Sequence, residues 1–176
     1  MVRTWFAFVG AATLLASGVA AAQTPTQPCD AKLNVTDQDP AGLNVRASPG
    51  GAVVTALKAK TRWVQVHVTG QSGDWARIDR ATEIDDETGG GEKPLFLATG
   101  WVAFSKLGFE ELNSPALIRD APSEGARTLL RIEEGDESKR PHPALLGCSG
   151  DFLKVRLGAI VGWTRDYCSN QLTTCV

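Results

Sequence analysis

The sequence predicts an all-β protein built from small barrels or sandwiches, and three observations carry that expectation. Apolar residues recur at spacing two in several stretches. Gly, Pro and Asp separate those stretches at close intervals, as turns between short strands do. Beyond the first segment, no stretch repeats its apolar residues with the 3.6-residue period of a helix. Taken in order, Leu43 and Val45 start the pattern, followed by Val53, Val54 and Leu57. Val64, Val66 and Val68 alternate strictly. Ala76 and Ile78 resume the alternation after a turn at Gln71-Ser72-Gly73-Asp74, and Leu95–Leu97 and Trp101–Phe104 complete the first set.

Met1 to Ala22 has the three parts of a secretory signal: Arg3 in a short basic start, an apolar run from Trp5 to Leu15, and small residues at Ala20 and Ala22. A membrane-spanning helix needs about 20 apolar residues, and this run breaks earlier, at Ser17 and Gly18. The expected location is therefore periplasmic or secreted, with no stable membrane insertion. Thr26, Gln27 and Pro28 before Cys29 do not form an apolar lipid-attachment motif. Export favours disulfides among Cys29, Cys148, Cys168 and Cys175. Three connectivities are open; Cys148–Cys168 with Cys29–Cys175 is the mildly preferred one, because the first pair flanks the last two strands.

Composition removes several function classes. With 43% hydrophobic residues the chain has the apolar material to fold, so disorder is excluded. Its 18 basic residues against 20 acidic ones give a net charge of −2, and no basic face is expected for nucleic acid. The cysteines contain no C-x-x-C pair, so no metal is expected. No cofactor motif is present either: Gly90-Gly91-Glu92-Lys93-Pro94 lacks the phosphate-loop spacing. Glu83, Asp85, Asp86, Glu87 and Glu92 surround Gly89-Gly90-Gly91 without the spacing of a calcium loop, and read as a solvated insert. Asn34-Val35-Thr36 has the form of a glycosylation sequon and is assigned no role. Catalytic residues are not expected. His67 lies between Val66 and Val68 on the opposite strand face, and His142 sits between Pro141 and Pro143, where no base is held in position.

Self-comparison shows that the chain carries one unit twice. Arg46-Ala47-Ser48-Pro49 matches Arg119-Asp120-Ala121-Pro122 at an offset of 73 residues. Gly73-Asp74-Trp75-Ala76-Arg77-Ile78 matches Gly150-Asp151-Phe152-Leu153-Lys154-Val155 at an offset of 77, and Gly100-Trp101-Val102 matches Gly162-Trp163-Thr164 at 62. The first copy has 15 extra residues between Ile78 and Trp101, and the second has four before its Gly-Asp turn.

Leu43-Asn44-Val45-Arg46-Ala47-Ser48-Pro49, then Gly73-Asp74-Trp75, then Gly100-Trp101-Val102 resembles a bacterial SH3 (SH3b) domain over roughly 41–107. The second copy is a degenerate version, with Leu117-Ile118-Arg119, Phe152 and Gly162-Trp163-Thr164, and with Ile118 taken as the counterpart of Asn44. The resemblance implies two small SH3-like β-barrels in tandem. The expected organisation is a signal at 1–22, a leader at 23–40, a first barrel at 41–108 with an acidic loop at 80–94, and a second barrel at 109–176. It also implies a non-catalytic binding module of the cell envelope, whose partner is cell-wall peptide or an envelope protein held in an aromatic-lined groove. Trp63, Trp75, Arg77, Phe104, Phe152 and Tyr167 are the candidate ligand-facing residues, and Trp101 and Trp163 the structural ones. Tryptophan recurs at binding hot spots, yet a small barrel also needs large side chains in its core. The competing expectations are a scaffold that binds no wall component and, further off, a small hydrolase.

Overall fold

The computed structural model describes residues 25–58, 63–85, 91–135 and 142–169. Residues 1–22, read as a secretory signal, and Cys175 therefore lie outside the described residues. The first strands are β1 (Gln27–Val35), β2 (Leu43–Arg46), β3 (Val53–Leu57), β4 (Trp63–Ser72), β5 (Trp75–Asp85), β6 (Gly91–Phe96) and β7 (Gly100–Ala103). A 3-10 turn, Phe104–Lys106, leads into β8 (Leu107–Gly108) and β9 (Glu111–Leu112). The second set is β10 (Ala116–Arg119), β11 (Thr128–Ile132), β12 (Ala144–Ser149), β13 (Phe152–Leu157), β14 (Ile160–Thr164) and β15 (Tyr167–Cys168). The protein is all-β, and the described residues contain no α-helix.

The duplication read in the sequence reappears in the pairing. The first sheet runs β3-β2-β7-β5-β4-β1-β8, with β6 beside β5, and the second runs β11-β10-β14-β13-β12. Five strands thus follow one order in both. All ladders are antiparallel, and among the described residues no pair closes either sheet into a ring.

Local chemistry explains why the matched motifs recur. Gly73 and Gly150 open two-residue hairpin turns at φ +54° and +57°, a backbone conformation that glycine adopts without a Cβ clash. Arg46 and Arg119 each follow an irregularity in the ladder to the next strand, and each lies opposite the motif tryptophan, Trp101 or Trp163. Their guanidinium groups donate to the Gly51 and Ala126 carbonyls, which holds the following turn. A Cβ on Gly100 would overlap Val45, and one on Gly162 would overlap Ile118. The glycine of each Gly-Trp pair is therefore set by the side chain that crosses it. This equivalence corrects one alignment: Ile118 is the buried counterpart of Val45, so Leu117 stands where the first unit has Asn44.

Strict alternation on β4 puts Val64, Val66 and Val68 in the core and Trp63, Gln65 and His67 on the other face. Ala76 and Ile78 are buried while Trp75 and Arg77 stand opposite them, as the spacing predicts. The core is chiefly aliphatic, with Leu33, Val45, Ile78, Val102, Ile118, Leu153 and Val155 among its most buried members.

Three expectations are revised. Residues 27–35, read as part of a leader, form β1, which lies between β4 and β8 in the first sheet. The stretch read as a solvated acidic loop is largely a hairpin extension, with Thr82–Asp85 on β5 paired to 91–94 on β6, and Glu83 is only 4% exposed. Asp86, Glu87 and the Gly89-Gly90 pair lie outside the described residues. The preferred disulfide pairing is also overturned: Cys29 bonds Cys148, closing a separation of 119 residues. Cys168 is likewise disulfide-bonded.

Candidate binding site at the junction of the two units

The polar face of β1 and β4 receives the second unit. The Cys29–Cys148 disulfide crosses the junction. Beside it Asp30 N–H donates to Gly150 O at 2.6 Å, and Gly150 N–H donates to Pro28 O at 2.9 Å. Gln71 accepts from Cys148 N–H at 2.9 Å, and Gln65 donates to Ser169 O at 2.9 Å. Ser169 Oγ–H in turn donates to Lys32 O at 2.6 Å. Alternation on β4 thus serves two purposes: the odd positions dock a neighbour while the even ones fill the core.

Two cavities open along this junction. One, of about 760 Å³, is walled by Asp30, Lys32, His67, Asp151, Arg165 and Tyr167 among others. Within it, His67 Nδ1 is 2.8 Å from Asp79 Oδ1 and Nε2 is 2.9 Å from Asp30 Oδ1. Carboxylates only accept, so both contacts are hydrogen bonds when both ring nitrogens carry protons. Burial works to lower its pKa, but the hydrogen bonds and charges of Asp30 and Asp79 together outweigh that and raise it above 6.5. Tyr167 has its phenol pushed up to about 12, by burial first and then by the charges of Asp30 and Asp151, against a backbone hydrogen bond from Lys32. Arg165 is held by Glu124 and Asp151.

The second cavity, about 620 Å³, lies where β1 ends and β4 begins. Asn34, Trp63, Phe109 and His142 contribute to its wall. Phe109 packs edge-on to Tyr167 with ring centres 5.8 Å apart, and His142 is tilted against it at 6.3 Å. Phe109 thus lines the second cavity and packs against Tyr167, which lines the first.

The candidate aromatic residues separate into three places. Trp63 and Tyr167 are half-buried and line the junction cavities. Trp75 and Arg77 lie toward the far end of the same hairpin: the Arg46 guanidinium sits 5.6 Å above the Trp75 ring, and Arg77 donates to Thr69 Oγ1 and O. Phe104 and Phe152 are buried, 5% and 6% exposed, and fill core space instead of facing a groove. Trp101 and Trp163 occupy matching positions opposite Arg46 and Arg119, and Lys154 Nζ stands 5.7 Å from the Trp163 ring centre. All four described tryptophans are half-buried, outside the aliphatic core.

Sequence reasoning misses the junction because it treats the two units as separate bodies. Gln65, Gln71, Asp30 and Phe109 carry it. Their one advance signal is the run of polar residues, Gln65, His67, Thr69 and Gln71, at alternate positions of β4. Asn34 is 3% exposed, so its side chain is a junction residue and not an open glycan acceptor. Among the described residues no cluster of three or more His, Cys, Asp or Glu is arranged to hold a metal. No helix among them is long and apolar enough to cross a membrane. Compared with known proteins, the chain matches no family model, no curated sequence and no solved structure.

Proposed function

We propose that the protein is a non-catalytic binding module of the bacterial cell envelope, built from two SH3b-like units and recognising cell-wall peptide or a periplasmic protein through half-exposed aromatic residues. One observation carries this reading. The tryptophans that a small barrel could have used to fill its core stand outside it, with aliphatic side chains filling the interior in their place. Trp63 and Trp75 therefore present ring area on the polar face of β4 and β5, where a ligand can cover them. The L-N-V-R, G-D-W and G-W-V segments of the first unit and their altered counterparts in the second fall on, or at the turn between, strands of the same order, which supports the family resemblance. The Cys29–Cys148 disulfide fits an oxidising compartment outside the cytoplasm.

A hydrolase reading draws on His67 beside two carboxylates in a groove. The geometry disfavours it. Both ring nitrogens are engaged with Asp30 and Asp79, leaving neither free to take a substrate proton. Ser169 Oγ–H is committed to the Lys32 carbonyl.

Co-sedimentation of the oxidised protein with purified peptidoglycan sacculi tests the binding reading. The wild type is expected to pellet with sacculi, and Trp75→Ala to bind about tenfold more weakly. A wild type that stays in the supernatant and instead recovers one stoichiometric envelope protein, insensitive to added wall fragments, selects the scaffold reading.

A further inference from the structure

Asn34 is anomalous for a residue 3% exposed: neither its Oδ1 nor its Nδ2 has a hydrogen-bond partner. Native proteins rarely leave buried polar atoms unmatched, because each loses its water without a replacement. Asn34 faces the junction from β1, in register with Gln65 on β4, whose own amide is spent on Ser169 O. Two neighbouring carboxylates are likewise committed. Asp37 accepts from Lys106 Nζ at 3.0 Å, and Asp39 accepts from Ala41 N–H at 2.8 Å. The Asn34 carboxamide forms part of the wall of the 620 Å³ cavity, beside Trp63 and Phe109. An acceptor and a donor on one planar group, next to aromatic walls, describe the complement of another planar group with one donor and one acceptor.

We propose that this cavity is a binding site for an uncharged amide, a peptide bond or a carboxamide side chain of a peptide ligand. The ligand N–H donates to Asn34 Oδ1, and Asn34 Nδ2–H donates to the ligand carbonyl. The amide plane packs beside Trp63. This deepens the binding reading above and rests on it, in that it gives the peptide ligand a specific point of attachment. A carboxylate ligand is a poorer match, since it offers no donor to Oδ1, and an ester fails for the same reason.

The test titrates the intact, oxidised protein with propionamide, methyl acetate and sodium acetate, following the Asn34 side-chain and Trp63 indole N–H resonances by NMR. Propionamide is expected to shift both saturably. Methyl acetate and acetate should bind at least about tenfold more weakly, the loss of roughly one well-made hydrogen bond. Asn34→Leu should lose propionamide binding by a similar factor and melt at the same or a higher temperature, because it removes two unmatched atoms from a covered site. Asn34→Ala serves as the second variant if leucine is too large to fold.

Absence of a saturable shift overturns the proposal. So does a variant that keeps binding, or one that melts several degrees lower while binding propionamide normally. A crystal structure in which two ordered waters bond Asn34 and remain in place under propionamide would make it a hydration site only. Sacculus binding run in parallel separates the two claims. An Asn34→Leu protein that still pellets with sacculi removes the cavity and keeps the wall reading. A wild type that binds propionamide but not sacculi does the reverse.

Discussion

The two units share five strands in one order, yet they differ in what surrounds those strands. The first adds β1, β6 and β8 and extends its central hairpin to strands of 10 and 11 residues, against six and six in the second. What both keep is the part that fixes the backbone: a positive-φ glycine at the hairpin turn, an arginine beside the ladder irregularity, and a glycine where a Val or Ile crosses. What differs is the outer face. In the first unit it carries Asn34, Gln65, His67 and Gln71, which receive or border the second unit. Fold is thus held by a few steric requirements common to both copies, whereas the platform on which the other unit docks belongs to the first.

Breaking the tether tests this asymmetry most severely. The Cys29→Ser/Cys148→Ser double variant should lose about 2–5 kcal/mol of stability, because the bond restrains a long loop in the unfolded chain. Guanidinium unfolding in oxidising buffer measures it. A variant as stable as the wild type would mean that the junction is held without the disulfide.

A smaller effect comes from the shared glycines. Gly162→Ala should cost about 1–3 kcal/mol, since its Cβ would meet both Ile118 and the Arg119 carbonyl oxygen, and backbone does not yield readily. Gly100→Ala should cost somewhat less, because the first atoms it meets are side-chain carbons of Val45 and Phe96. Equal and negligible losses in thermal melts would dissolve the steric argument for the Gly-Trp motif.

The mildest prediction concerns His67. Its pKa is raised in the folded protein, so the pairing with Asp30 and Asp79 contributes fully below pH 6.5 and is lost as pH rises through the folded value. Melting temperatures of wild type and His67→Gln, compared from about pH 5.5 to about pH 8.5, should converge toward the alkaline end. A gap that widens with pH would show that the ring is neutral in the folded state.

How far the sequence reveals this depends on the range of the interaction. Strand positions are legible because alternation is local: Val64, Val66 and Val68 mark their own burial, as do Ala76 and Ile78. The repeat is legible because the Gly and Arg requirements are local too. The membership of β1 is not, since Ala31 and Leu33 become core only when paired with Val68 and Val66, far along the chain. For the same reason Glu83 reads as solvated until β6 folds over it. Cysteine spacing alone also misleads, because Cys29 meets Cys148 through the docking of two sheets. Of the candidate site, Trp63 and Tyr167 are found by residue type; Asn34 and Phe109 emerge only from the junction.

The central claim is that the half-buried tryptophans of the first unit bind an envelope ligand, and co-sedimentation with purified sacculi addresses it most directly. The account predicts that the oxidised wild type pellets with sacculi and that Trp75→Ala, still folded, is released at about one-tenth the affinity. Equal pelleting of the two proteins, or none by either, would contradict it.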